Sequence, residues 1–217
     1  GSPEPDYAYV ENLGDGRGYT VTQYGFCTYN DEISWVINRY AQDVPDTPLK
    51  RFLPFLPPVK NGAGTAGLAE FPRVWREEIK SSKLLAAACD EEADRLYLFP
   101  ALEAANAADV YSPVGISIFY DTWLQHGAST DADSLRSILD RTIAETGGRS
   151  QRSESEFLGA FLDIRKSVLH DPVNRETRSV WRQSARRVDA LRNLLERNPS
   201  LVPPVEVVND DIHAVVL

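Results

Sequence analysis

Between Asp43 and Gly67 the chain carries Pro45, Pro48, Pro54, Pro57 and Pro58 and then a glycine-rich stretch. Proline fixes φ and removes a donor, so this run holds only short helical turns and reads as an irregular crossing. On both sides of it apolar residues return at helical spacing. Ile33, Val36, Ile37 and Tyr40 follow the i, i+3, i+4, i+7 rule behind Asn30 or Asp31 as a cap. Trp75, Ile79, Leu84 and Leu85 punctuate an Ala-rich stretch that predicts one continuous helix from Arg73 to Tyr97, ended by Pro100. Further helices are expected at Leu102 to Tyr111, Val114 to His126, Ala132 to Thr146, Ser153 to Leu169 and Arg175 to Arg197.

Two segments break the helical pattern. Gly14-Asp15-Gly16-Arg17-Gly18 places three glycines in five positions, which implies a tight turn or a backbone held close to a ligand. Tyr19 to Cys27, rich in Thr, Val, Tyr and Phe, reads as a strand or hairpin arm. The tail from Val202 to Leu217 is Val-rich but too interrupted to assign. The fold class is therefore mostly α, with a small antiparallel β element near the N-terminus.

Composition removes several functions. With 217 residues and a formal charge of −9, the chain lacks the Lys and Arg excess that phosphate backbones recruit, so no nucleic-acid partner is expected. An anionic groove would suit a cationic ligand. No apolar run reaches the roughly 20 residues of a membrane span, so no membrane partner is expected either. The chain has no Met, even at position 1, and we expect that it has lost its initiator, alone or together with a signal peptide or a longer N-terminal piece. Cys27 and Cys89 have no CxxC spacing and no His at ligand distance, so no metal site is expected. Their apolar neighbours favour buried free thiols, with a disulfide as the alternative in an exported protein. His126, His170 and His213 show no metal or triad pairing and are expected to be structural or exposed, and Trp123 is expected in the core.

The glycine turn puts a carboxylate and a guanidinium where side chains can converge on a ligand, although five such residues alone also fit an ordinary surface turn. In context they carry more. Tyr9-Val10-Glu11-Asn12-Leu13-Gly14-Asp15-Gly16-Arg17-Gly18-Tyr19-Thr20, followed by Gly25-Phe26-Cys27, resembles the signature of glycoside hydrolase family 46, the chitosanases. The likeness continues through Asp94-Arg95-Leu96-Tyr97, Tyr120-Asp121, Gln125-His126-Gly127, Phe161 to Lys166 and Arg187-Val188-Asp189.

The resemblance implies a lysozyme-like α+β fold with two helical lobes around a substrate cleft. A minor lobe would lie at about 19–70, the major lobe would be the remainder, and helix 73–97 would link them. It implies endo cleavage of the β-1,4 links of chitosan with inversion, no cofactor, chitosan or glucosamine oligosaccharides as partners, a monomer, and secretion. By matched position Asp15 is the general base and Thr20 helps hold the attacking water. Arg17, Glu11, Asp121, Arg165 and Arg187 form the supporting network, with the register at Arg187 open by one residue because Arg186 adjoins it. Asp121 and Arg165 could equally be a structural buried pair.

Glu32, beside Asp31, occupies the position of the family's glucosamine-binding Asp. A carboxylate there would pair with the sugar ammonium, but both acids also suit the start of a helix. The family's catalytic acid, a Glu about 18 residues before the base, is expected N-terminal to Gly1, with Glu4 as a substitute only across a much shortened loop. A catalytically silent oligosaccharide-binding protein on the same scaffold is the alternative function.

Overall fold

The computed structural model describes residues 5–14, 16–56, 64–127, 129–173, 175, 178–209 and 212–216. They gather into two compact units, Ser2–Leu96 and Tyr97–Leu217.

In the first unit, β1 (Val10–Asn12), β2 (Tyr19–Val21) and β3 (Phe26–Cys27) form an antiparallel sheet in that order. Helix α1 (Glu32–Asp43) follows and stops at Val44, whose φ of −127° and ψ of 79° suit the residue ahead of Pro45. The proline-rich segment begins as a 3-10 helix, Pro48–Phe55, capped by the Thr47 hydroxyl. Next come α2 (Phe71–Ser81) and α3 (Lys83–Ala93). The core is Ile33, Val36, Ile37, Tyr40, Leu49, Phe71, Trp75 and Leu85, each 0 to 1% exposed. Burial of each contributes on the order of 1.5–3 kcal/mol before conformational entropy is subtracted.

The continuous helix expected over 73–97 does not form. Ser82 is extended (φ −145°, ψ 126°) and its hydroxyl accepts the Leu84 N–H, ending α2 and capping α3. A serine hydroxyl offers the backbone an alternative to the helical bond, and that local competition defeats the apolar periodicity. The helical path changes again at Asp94–Leu98, a π-helical turn leading into α4 (Phe99–Ala107). Pro100 lies in the first turn of α4, where its missing N–H removes no bond, so it starts a helix instead of ending one.

The second unit packs α4, α5 (Pro113–His126), α6 (Leu135–Thr146), α7 (Glu154–His170) and α8 (Arg178–Arg197) around one core that includes Val114, Ile118, Phe119, Leu158, Phe161 and Leu162. Trp123, expected in the core, is partly buried and packs against it. Caps explain the boundaries: Ser112 opens α5 and Gly127 closes it, and Ser153 with Glu156 forms a capping box for α7. The tail left unassigned by sequence is a hairpin of β4 (Val205–Asn209) and β5 (Ile212–Val216), a second sheet resting on α8. Cys27 and Cys89 are buried free thiols.

Gly18 is the turn residue with the least latitude. Its φ is +75°, and an added Cβ would collide with the Thr28 hydroxyl and the Gly64 carbonyl. Gly14, at φ +71°, has nothing within 4 Å of such a Cβ. We therefore expect Gly14→Ala to cost about 1 kcal/mol and Gly18→Ala at least about 3 kcal/mol in chemical denaturation. Equal costs would show that the loop around Gly64 yields freely.

Candidate functional site

In the first unit the sheet arranges the candidate residues by register. Glu11 on β1 lies directly opposite Thr20 on β2, and Thr20 lies opposite Cys27 on β3. Direct cross-strand partners share a sheet face, so the Glu11 carboxylate and Thr20 hydroxyl belong to one surface. The Tyr9 hydroxyl donates to Glu11 Oε2 at 2.8 Å, and this bond raises the phenol above its usual pKa. The Arg76 guanidinium donates to the Val10 carbonyl at 2.7 Å, fixing the strand from its other side chain-facing neighbour, α2.

Asp15 lies outside the described residues, as does Glu4, but the frame around Asp15 is well defined. Gly14 N–H donates to Asn12 Oδ1 at 3.0 Å, and Gly14, Gly16 and Gly18 all have positive φ. Beyond the turn, Tyr19 N–H donates to Thr28 Oγ1 at 2.9 Å and Tyr29 N–H to the Arg17 carbonyl at 3.2 Å. The Arg17 side chain is exposed on that turn. Asp31 and Glu32 stand at the start of α1. Glu32 Oε2 accepts the Cys27 N–H at 2.8 Å, which gives this carboxylate a structural task joining β3 to the helix. Asp31 makes no side-chain capping bond.

The second unit brings Asp121, Arg165 and Arg187 together. Arg165, fully buried on α7, donates from Nη2 to Asp121 Oδ2 at 2.6 Å, and Arg187 of α8 bonds Asp121 Oδ1 through both Nε (3.1 Å) and Nη2. Arg187 makes this contact, while Arg186 Nε donates to the Gln183 carbonyl at 3.3 Å. Burial works to raise the Asp121 carboxyl, but Arg165 and then Arg187 outweigh it and hold the group below the usual carboxylate range.

Sequence reasoning missed two members of this cluster. Gln125 Oε1 accepts from Arg165 Nη2 at 2.7 Å, and His126 Nε2 faces Arg165 Nε at 3.3 Å. Gln125 lies four residues after Asp121 on α5, one turn along the same helical face, and that was the available signal; His126, one residue further round, offered none. His170 and His213 are exposed, as expected for two of the three histidines. Among the described residues no group of three His, Cys, Asp or Glu side chains could hold a metal, and no helix is long and apolar enough to cross a membrane.

Burial, then the charge of Arg165, lowers His126 from 6.5 to about 4. Above the unfolded value both states are neutral and the group has no effect on stability. Between the two values the unfolded chain takes up a proton that the folded protein refuses, so stability falls as pH drops. The loss amounts to about 3 kcal/mol over that window. Asp121 contributes in a separate and lower window, because a lowered carboxyl loses its stabilisation only as pH falls through its folded value. Denaturant unfolding from about pH 7 to pH 4 should give a slope approaching one proton that His126→Gln lacks. An unchanged slope in the variant would contradict the assignment.

Comparison with known proteins identifies the family and the fold. The mostly helical fold with a small antiparallel sheet near the N-terminus is the lysozyme-like α+β fold of chitosanases, and the glycosyl hydrolase family 46 model matches residues 2–205. The chitosanase of Bacillus subtilis strain 168 is 36% identical over 212 residues, covering 95% of this chain and 76% of that protein. The native chitosanase of Bacillus subtilis MY002 superimposes with a TM-score of 0.89 at 34% identity, covering 99% of this chain and 91% of that one. A family 46 chitosanase of Gynuella sunshinyii, solved with chitotetraose, gives 0.89 at 33% identity over 100% of this chain and 91% of its own. The chain belongs to glycosyl hydrolase family 46.

Proposed function

We propose that this enzyme is an endo-acting chitosanase that hydrolyses β-1,4 links of chitosan by inversion, with Asp15 as general base and Thr20 positioning the water. The observation that carries the reading is the match of family, fold and sheet register: the turn bearing Asp15 opens directly into the strand bearing Thr20, and Glu11 stands across from it. The whole chain serves as one catalytic domain acting as a monomer, and a polymeric substrate suits action outside the cell.

An inverting hydrolase needs two carboxyl groups separated by roughly 6.5–9.5 Å, one to protonate the leaving oxygen and one to activate water on the opposite ring face. Asp15 takes the second role. Gly14 and Gly16, on either side of it, both have positive φ, the conformation glycine adopts at tight turns. No residue of the chain is assigned as the acid. The Asp121, Arg165 and Arg187 cluster is assigned to support of the acid, as the family likeness implies, with Arg165 as its buried charge. Asp31 and Glu32 provide carboxylates for the ammonium of a glucosamine unit, a group that acetylated sugars lack. Arg17 supports the turn.

Reducing-end release from soluble chitosan by the full-length protein tests this, with product anomers followed by proton NMR. We expect α-anomers first. Asp15→Asn should lower kcat by at least about a thousandfold, and Thr20→Val by about tenfold or more with a smaller effect on KM. β-Anomers, or an active Asp15→Asn enzyme, would overturn the mechanism. Hydrolysis of acetylated chitin in preference to chitosan would overturn the substrate.

A further inference from the structure

Arg165 is buried with one charge and five donors, and every partner that orients it comes from α5. Nη2 is taken by Asp121 Oδ2 and Gln125 Oε1, Nε faces His126 Nε2, and Nη1 has no partner among the described residues. Guanidinium is rigid and planar, so the Nε contact sets the rotation of the plane, and with it the direction in which Nη2 meets Asp121.

The proton on His126 is dictated by its neighbours. Nδ1 lies 2.7 Å from the Asp133 carbonyl oxygen, which only accepts, so Nδ1 carries the hydrogen. Nε2 faces an arginine N–H, which only donates, so Nε2 is bare. The ring is further held edge-on against Trp181 of α8, with centroids 5.0 Å apart. We propose that His126 is a positioning residue for the hydrolysis: its neutral ring, protonated at Nδ1, accepts the Arg165 Nε–H and locks the rotation at which Arg165 grips Asp121.

The inference rests on the chitosanase reading for its kinetic consequence but not for its chemistry. The charged groups bearing on His126 are Arg165 of α7, Arg187 of α8 and Asp121 of its own helix, together with the Asp133 carbonyl ahead of α6. Two cations and a carbonyl-bound Nδ1–H leave no acceptor for a second ring proton. Protonation at Nε2 would set donor against donor and turn the Arg165 plane away from Asp121.

Two measurements on the full-length protein test this. Long-range nitrogen–proton NMR at about pH 5.5, between the folded and unfolded values of the imidazole, should show His126 neutral and protonated at Nδ1, whether or not the protein hydrolyses chitosan. An Nε2–H tautomer or an imidazolium there would overturn the proposal. In kinetics, His126→Gln retains an acceptor for Arg165, while His126→Phe keeps the ring on Trp181 and removes the acceptor. We expect the Gln variant to keep wild-type kcat and the Phe variant to lose about 10- to 100-fold in kcat, per folded molecule, with KM little changed. Equal kcat in the two variants would reduce His126 to a packing role. An inactive wild type with the expected NMR tautomer would instead refute the proposed function and leave the Arg165 geometry intact.

Discussion

The arrangement of the second unit depends on one interaction, the burial of the Arg165 guanidinium against the Asp121 carboxylate. Removing a cation from water costs several kcal/mol even after relaxation, and a single carboxylate recovers that only with good geometry and further bonds. The further bonds come from Gln125 and His126 on the same helix as Asp121. Arg187 adds a second cation from α8 to the other carboxylate oxygen, so three helices are tied at one point. The core around Phe119 and Phe161, whose rings stack at 5.0 Å, fixes α5 against α7 by apolar burial, and the ion cluster fixes their register.

The first unit solves a different problem. Its three short strands contain few residues, and such sheets are marginal without support. Support comes from side chains reaching the backbone: Trp75 Nε1 donates to the Tyr7 carbonyl at 2.9 Å, and Arg76 to Val10. Tyr7 and Tyr24 both donate to Asp90 at 2.6 to 2.9 Å, which anchors the strand ends on α3. Burial, followed by the Asp90 hydrogen bond, pushes the Tyr7 phenol up to about 12, so it stays a donor at any working pH. The glycine turn can be tight and exposed because its flanks are pinned in this way.

Much of this was legible from residues alone. The helices with continuous apolar spacing, α1, α5, α6 and α7, were found because burial on one face dictates the period. The glycine turn was legible because glycine takes positive φ at least cost, and the strand after it because Thr, Val, Tyr and Phe favour strands. The break at Ser82 was not legible, since serine is tolerated within helices and its capping bond is a local choice decided by packing. The hairpin at the C-terminus was missed because short valine runs gain strand structure only by resting on α8. In the site, Asp121, Arg165 and Arg187 were named from the family likeness and the structure joins them. His126 was placed among structural histidines, because a histidine whose role is to accept from an arginine leaves no spacing signature.

The claim that the Arg165 and Asp121 pair organises the unit is most directly tested by a double-mutant cycle on unfolding free energy with Asp121→Asn, Arg165→Met and both together. The account predicts that Asp121→Asn alone costs about 3–5 kcal/mol by stranding a buried cation, and that adding Arg165→Met recovers about 2 kcal/mol or more of it. Additive losses, with a coupling near zero, would show that the two residues stabilise the fold independently and would contradict the account.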